Sequence, residues 1–506
     1  MEKLLLFCFI FILFASITQA QQYNSVKGSE VCSHRKMQKV NLQQKSLKSA
    51  NSPLHSFDVL NYTINIDLVA CLTNPYPNNF KADVLIQFRV DSMLNQIILN
   101  ADNYSLSIDS IRENAVSFIH AEDMLTIQLD RTYVPGEIAN VHIYYNHANV
   151  ADNAFYASGG FVFTDCEPEG ARKWFPCYDK PSDKATTDIT AKVPLTAKLA
   201  SNGRLQDSII EANTIKYHWI SRDPVATYLT VLTARNYYKL DIVNWTNPNT
   251  SEVIPIRFYY NTGEDPTYIK SIIGAMTTFY SAQFGDHPFE KNGFATLNNE
   301  FAWGGMENQT ITSLCPDCWG ESLIAHEFAH QWFGDMVTCA TWADIFLNEG
   351  FATWAEAYWN ESQNGYIAYK NELEGNASYY FAANPHWAIS TPSWAVTTPD
   401  VNTLFNYAIT YMKGSCVLHM LRYTLGDNLF FPALKAYATD TVDFKYKSAT
   451  IDDFKNKIES EAGQELDWFF DQWIYKPDHP VYSNVYGIYA GVNGKWNVLF
   501  TAKQEE

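Results

Sequence analysis

In His326-Glu327-Phe328-Ala329-His330 two histidines stand four positions apart with a glutamate beside the first, and after 18 intervening residues comes Glu349, within Asn348-Glu349-Gly350. On a helix, positions i and i+4 lie one turn apart on the same face, so His326 and His330 can point at one metal ion, with Glu349 as third ligand. Two imidazoles and a carboxylate suit zinc with one position left for water. Glu327 lies about 100° round the helix from His326, where it can reach that water without being a ligand. The spacing therefore predicts hydrolysis by a zinc-activated water, with one Zn2+ per chain and Glu327 moving the protons.

The five-residue motif alone could arise by chance on a charged amphipathic helix. Glu349, opening a second helical stretch from Glu349 to Tyr358, makes that explanation much weaker. A third histidine six residues after His330 would indicate a metzincin, but Met336 stands there, and Phe333 replaces the glycine of that pattern. Glu356 falls two turns beyond Glu349 on the same face. It either accepts the free N–H of a ligand histidine or is a solvated helix carboxylate.

These residues need a large scaffold, and 506 residues with 47% apolar and 15% aromatic content supply one. Leu4 to Ala15 is an apolar run of 12 residues behind Lys3, ending near Thr18-Gln19-Ala20. This is the layout of a secretory signal peptide over 1–20 and is too short to span a bilayer. The expected protein is exported, either secreted or periplasmic, without stable membrane insertion after signal cleavage. A formal charge of −19 argues against nucleic acid. It fits either cationic small substrates or plain solubility. Cys315-Pro316-Asp317-Cys318 has no second such pair to complete a structural zinc site, so a local disulfide or one to Cys339 is expected. Asn61, Asn244 and Asn376 sit in glycosylation sequons.

Residues 21–52 are polar, aperiodic and rich in Gln, Ser and Lys, and read as a flexible leader. From Tyr62 the pattern changes to a period of two: Tyr62, Ile64, Ile66 and Leu68, then Val84, Ile86, Phe88 and Val90. Alternation returns near Val141–Tyr145 and Ile215–Trp219, so 53–240 is an antiparallel β domain. Asp265-Pro266 marks a helix start, with Ile269, Ile272, Met276 and Phe279 at helical spacing. Helical patterning then prevails to about Tyr475, within a second domain of 241–478, and includes a capping-box sequence at Thr450-Ile451-Asp452-Asp453. Residues 479–506 form a short β tail, either an appended hairpin or the opening of a truncated C-terminal domain.

Three further segments give the chain a family resemblance. Gly304-Gly305-Met306-Glu307-Asn308 ends 18 positions before His326; Cys166-Glu167-Pro168-Glu169-Gly170-Ala171-Arg172 continues to Phe175-Pro176-Cys177-Tyr178-Asp179; and Tyr411-Met412-Lys413-Gly414 follows the zinc motif. With the zinc residues, they resemble the aminopeptidase N family of zinc metallopeptidases, which includes leukotriene hydrolase, from about Phe57 to Pro480. The departure within the signature is Gly305 where alanine is commoner.

The resemblance implies an α+β multidomain fold: a saddle-like N-terminal β sandwich followed by a thermolysin-like, mainly helical zinc catalytic domain. It implies Tyr411 as donor to the oxyanion, and Glu167, Gly304, Gly305, Met306, Glu307 and Asn308 as substrate-binding residues. Glu169 is a decoy for Glu167. The strand Gly293 to Leu297 is expected to be an edge preceding the glycine-rich stretch, and Trp303 either borders the pocket for the first side chain or packs in the core. The implied reaction removes the N-terminal residue from peptides with a free N-terminus. Competing readings are a zinc endopeptidase, a hydrolase acting on a lipid epoxide, and an inactive peptide-binding module.

Overall fold

The computed structural model describes residues 27–38, 56–301 and 304–505. The signal-peptide segment and Trp303 lie outside them. The alternating strands build a seven-stranded sheet in the order 204–211, 214–226, 184–194, 57–67, 81–90, 138–147 and 106–113. Its pairings are antiparallel except that Asn61–Asp67 runs parallel to Thr186–Lys192. Period two sends one row of each strand inward: Val84, Ile86, Phe88 and Val90 are fully buried while the residues between them are not. Smaller sheets of four and three strands complete this β domain; residues 165–180 pack into its core through Cys166, Trp174, Phe175 and Tyr178, while Glu169 accepts from Thr398 of the second domain.

The second domain begins with a five-stranded mixed sheet in the order 239–246, 253–260, 292–296, 312–314 and 305–306. Asn292–Thr296 is paired on both sides, so it is not the expected edge; that place belongs to Gly305–Met306. Each residue of Asn292–Thr296 is buried, as suits an interior strand. The helix Thr267–Phe284 starts one residue after Pro266, with the Asp265 carboxylate accepting from the Thr267 N–H at 3.0 Å. Ile269, Ile273, Met276, Tyr280 and Phe284 form its inward face, and Ile272 and Phe279 flank it. At Thr450 and Asp453 the reciprocal capping box is formed. Cys315 and Cys318 are joined locally, and Cys339 is a separate buried thiol. Asn376 is buried and hydrogen-bonded to Ser415, so the folded chain presents no glycosylation site there. The tail is a two-stranded ribbon, Tyr482–Ala490 against Trp496–Gln504, with both faces exposed.

Residues 28–38 correct the expectation of a flexible leader: Gly28–Gln38 is a helix seated against the catalytic domain. Gly28, Ser29, Cys32, Ser33 and Lys36 are buried, a single helical face at i, i+1, i+4, i+5 and i+8. Because that face is small and polar, no apolar period revealed it.

His287, 6% exposed and stacked on Phe328, is held near a pKa of about 4 by burial, against a weaker opposing hydrogen bond to the Phe289 backbone. The unfolded chain protonates this ring near ~6.5 and the folded one only near ~4, so its contribution to stability falls as pH drops through that window, by up to about 3 kcal/mol. Urea midpoints of metal-free protein at the two ends of the window should therefore differ less in His287→Gln than in wild type. Equal differences would contradict the assignment.

Candidate active site

The helix Glu321–Ala329 is buried on all sides from Leu323 to Ala329, which holds its polar residues rigidly inside the domain. His326 lies on it and His330 caps its C-terminus. Glu349 comes from the crossing helix Phe346–Asn364. The donor atoms converge: His326 Nε2 is 3.2 Å and His330 Nε2 3.4 Å from Glu349 Oε2, and the two nitrogens are 3.4 Å apart. Donors on a tetrahedral zinc at ~2.05 Å stand about 3.3 Å from one another, so the triangle has the size the ion requires. His330 Nδ1 donates to the Phe333 carbonyl at 3.0 Å, which leaves Nε2 with its lone pair free for a metal.

Charge gives a second test of fit. Glu167, Glu307, Glu327, Glu349 and Glu356 are all buried within this cluster. Burial disfavours charge on His326, yet Glu349, Glu356 and Glu327 outweigh it and push its pKa up to about 10. Burial likewise opposes ionisation of Glu349, but Lys36 and both histidines hold it well below the usual carboxylate range. The site is short of positive charge, and a divalent cation at the three donors would supply it.

Glu356 is 3% exposed, which excludes a solvated role. Its Oε2 faces His326 Nδ1 at 3.6 Å, and its two oxygens accept from the Gly28 and Ser29 N–H groups at 2.9 and 3.2 Å. It thus stands behind the ligand histidine and also caps the Gly28–Gln38 helix.

Glu327 packs against Gly305, where a Cβ would come within 2.3 Å of its carboxyl carbon. The missing side chain makes room for this carboxylate in the position it occupies. Burial, more than the neighbouring histidines, decides its titration and raises its pKa. Tyr411 sits in a π-helical turn, Tyr407–Lys413, and its hydroxyl donates to Glu349 Oε1 at 2.9 Å. Gly414 and Gly350 set that distance: a Cβ on Gly414 would lie 3.0 Å from the Gly350 Cα, so the two helices cross almost backbone to backbone. Burial, then Glu349, raises the Tyr411 pKa well above normal, keeping the hydroxyl a donor.

Glu167, Glu307 and Glu349 bring carboxylate oxygens within 4.8 Å of one another. Lys36 Nζ lies among them, 2.5 Å from Glu167, 3.0 Å from Glu349 and 3.6 Å from Glu307, and 4.8 Å from the centre of the Phe405 ring. Burial lowers the lysine's pKa, but Glu167, Glu307 and Glu349 more than reverse this and hold it well above normal. Glu167 is raised by burial and by Glu307, with Lys36 opposing. Glu169, the decoy, is instead bound to Arg172, Lys180 and Thr398 away from this cluster. Gly305 and Met306 form the edge strand, Gly304 adopts φ +81 against Val31, and Asn308 accepts from Ser313 at 2.9 Å. The Asn308 oxygen is thus engaged within its own loop.

The sequence motifs missed Cys32 and Lys36. Cys32 Sγ donates to Glu327 Oε1 at 2.7 Å. A cysteine within an otherwise Gln-, Ser- and Lys-rich stretch was the one available signal.

Buried His, His and Glu donors stand beside a buried acid, under a β domain that contributes Glu167, in a set that could hold a zinc ion. Residues 58–229 match the profile described as the peptidase M1 N-terminal domain, and 270–473 that of the peptidase family M1 domain. The chain belongs to the peptidase M1 family. Aminopeptidase M1 of Arabidopsis thaliana is 25% identical over 457 residues, 83% of this chain and 50% of that protein. Aminopeptidase N of Lactococcus lactis subsp. lactis is 29% identical over 339 residues, 62% of this chain and 38% of that protein. The chain therefore spans half or less of the length of these curated relatives. The fold is shared with the M1 zinc metallopeptidase of Deinococcus radiodurans at a TM-score of 0.73 and 23% identity, covering 84% of this chain and 97% of that one. A mutant M1 zinc metallopeptidase from that organism bound to a Tyr-Ser-Ala substrate matches at 0.73 and 24%, covering 86% and 98%.

Proposed function

We propose that the chain is an exported zinc aminopeptidase that removes the first residue from peptides with a free N-terminus. One observation carries this: Glu167 and Glu307 gather around a single ammonium group immediately beside the His326, His330 and Glu349 donors. A peptide's α-amine is largely cationic near neutrality and fits such a pair, whereas an internal segment would leave both acids buried without a cation. That favours exopeptidase over endopeptidase chemistry and over a lipid epoxide as substrate. The full set of acid, base and ligand residues argues against a module that only binds.

Zinc, held by His326, His330 and Glu349, supplies Lewis acidity toward the scissile carbonyl and lowers the pKa of water. Glu327 accepts the proton of the attacking water and passes it to the leaving amine. Tyr411 donates to the oxygen on which negative charge develops. Glu167 and Glu307 fix the α-amine, and the Gly305–Met306 edge offers backbone groups to the substrate chain. The β domain thus sets where the chain is cut and the helical domain how.

Tyr411→Phe should lower kcat by about 10²–10³-fold with a much smaller change in KM. A KM effect alone would count against the donor role. Metal analysis should give one zinc per chain, and a panel of aminoacyl chromogenic substrates should lose turnover with a chelator and regain it with zinc. Activity insensitive to chelation would defeat the proposal. Export rests on residues 1–20, and none of the described helices is long and apolar enough to cross a membrane. Mass analysis of protein recovered outside the producing cell should show a chain beginning after Ala20. The acidic surface speaks against nucleic-acid partners, and the work of the enzyme would be peptide catabolism.

A further inference from the structure

Resting on that reading of the site, we infer that the Gly28–Gln38 helix is an autoinhibitory segment that holds the full chain latent. Its buried face engages three parts of the machinery together. Lys36 places its ammonium among Glu167, Glu307 and Glu349, the position proposed for the substrate's α-amine. Cys32 donates to Glu327 and so takes the carboxylate that must accept the water's proton. The helix N-terminus sits on Glu356 through the Gly28 and Ser29 N–H groups.

The seat is specific. A Cβ on Gly28 would lie 2.6 Å from the Leu323 Cα and from the Ser322 carbonyl oxygen, so only glycine lets this end lie on the histidine-bearing helix. Ser33 donates to the Phe405 carbonyl at 2.9 Å, and Lys27 Nζ reaches the Glu372 carbonyl at 3.1 Å. A peptide N-terminus and Lys36 cannot share one pair of carboxylates, nor can a water take its proton path through Glu327 while the thiol holds it. Peptide entry therefore requires the helix to leave, by displacement or by cleavage of the chain that joins it to the β domain.

Two substitutions outside the catalytic groups should unseat it by unrelated means: Lys36→Ala removes the charge match, and Gly28→Val introduces a collision with backbone. Lys36→Arg keeps the charge and should keep latency. The first readout is alkylation of Cys32 by iodoacetamide in metal-free, full-length protein, followed by peptide mass spectrometry. In wild type it should be at least ~10²-fold slower than in the unfolded chain, and about 10-fold or more faster in Lys36→Ala and Gly28→Val than in wild type. The second readout is kcat/KM of the zinc-loaded chains on a free-amine peptide, which should rise by at least about 10-fold in both variants and stay near wild type in Lys36→Arg. Cys32 that reacts in wild type as fast as in the unfolded chain would overturn the proposal. So would variants that expose Cys32 without gaining activity. Absence of hydrolysis from every zinc-loaded chain would instead remove the aminopeptidase reading, and the inhibition with it, even with Cys32 protected.

Discussion

Glu327→Gln keeps one zinc per chain and lowers kcat by about 10²–10⁴-fold, with both the variant and its parent carrying Lys36→Ala so that the cleft is open. The substitution preserves size and the packing against Gly305, and the metal donors are other residues. What it removes is the ability to take a proton from the attacking water and return it to the leaving amine. Burial raises the Glu327 pKa, which brings the group nearer the pH at which one side chain can serve both as base and then as acid. Stopped or steady-state assays paired with metal analysis check the result. A zinc-replete variant with near-parental turnover would show that another group carries the proton.

Acetylating the N-terminus of an otherwise identical peptide should lower kcat/KM by roughly 10⁴-fold. The free amine meets Glu167 and Glu307, which are 5% and 0% exposed and have little water to fall back on. The acetylated twin brings no charge, leaves both acids desolvated and adds bulk beside them. Glu307→Gln should lower kcat/KM for the free peptide and narrow the gap between the twins. Comparable rates on both peptides from the parental chain would remove the exopeptidase claim and restore the endopeptidase alternative.

The metal triangle was legible because its chemistry is written at fixed local spacing: i and i+4 on a helix share a face whatever surrounds them. Tyr411, Glu167 and Glu307 lie far apart in sequence and were reached only through resemblance, since no periodicity joins a strand-end loop, an edge and a π-helical turn. The glycine pair Gly350 and Gly414 was visible within both motifs, but the close helix crossing it permits is a tertiary fact. The edge strand was misplaced because its position rested on resemblance alone: Gly305–Met306 is two residues long, too short for any pattern, and Asn292–Thr296 is paired on both sides within the sheet. Glu356 could not be assigned from its face alone, because what it faces is His326 on another helix and the end of a third.

The helix at residues 28–38 was not legible for a different reason. Sequence periodicity detects helices that bury apolar stripes, and Gly28–Gln38 buries glycine, serines, a cysteine and a lysine against a polar cleft. Its partners are the acids and backbone of the active site, so its order comes from complementarity to a site that the local sequence does not contain.

The central claim is that zinc chemistry is made directional by the acids that hold a free N-terminus. It is tested most directly by mass spectrometry of one unmodified peptide of about ten residues incubated with the zinc-loaded Lys36→Ala chain. The account predicts a ladder of products shortened one residue at a time from the amino end, abolished by chelator and restored by zinc. Internal fragments, or a ladder that persists without metal, would contradict it.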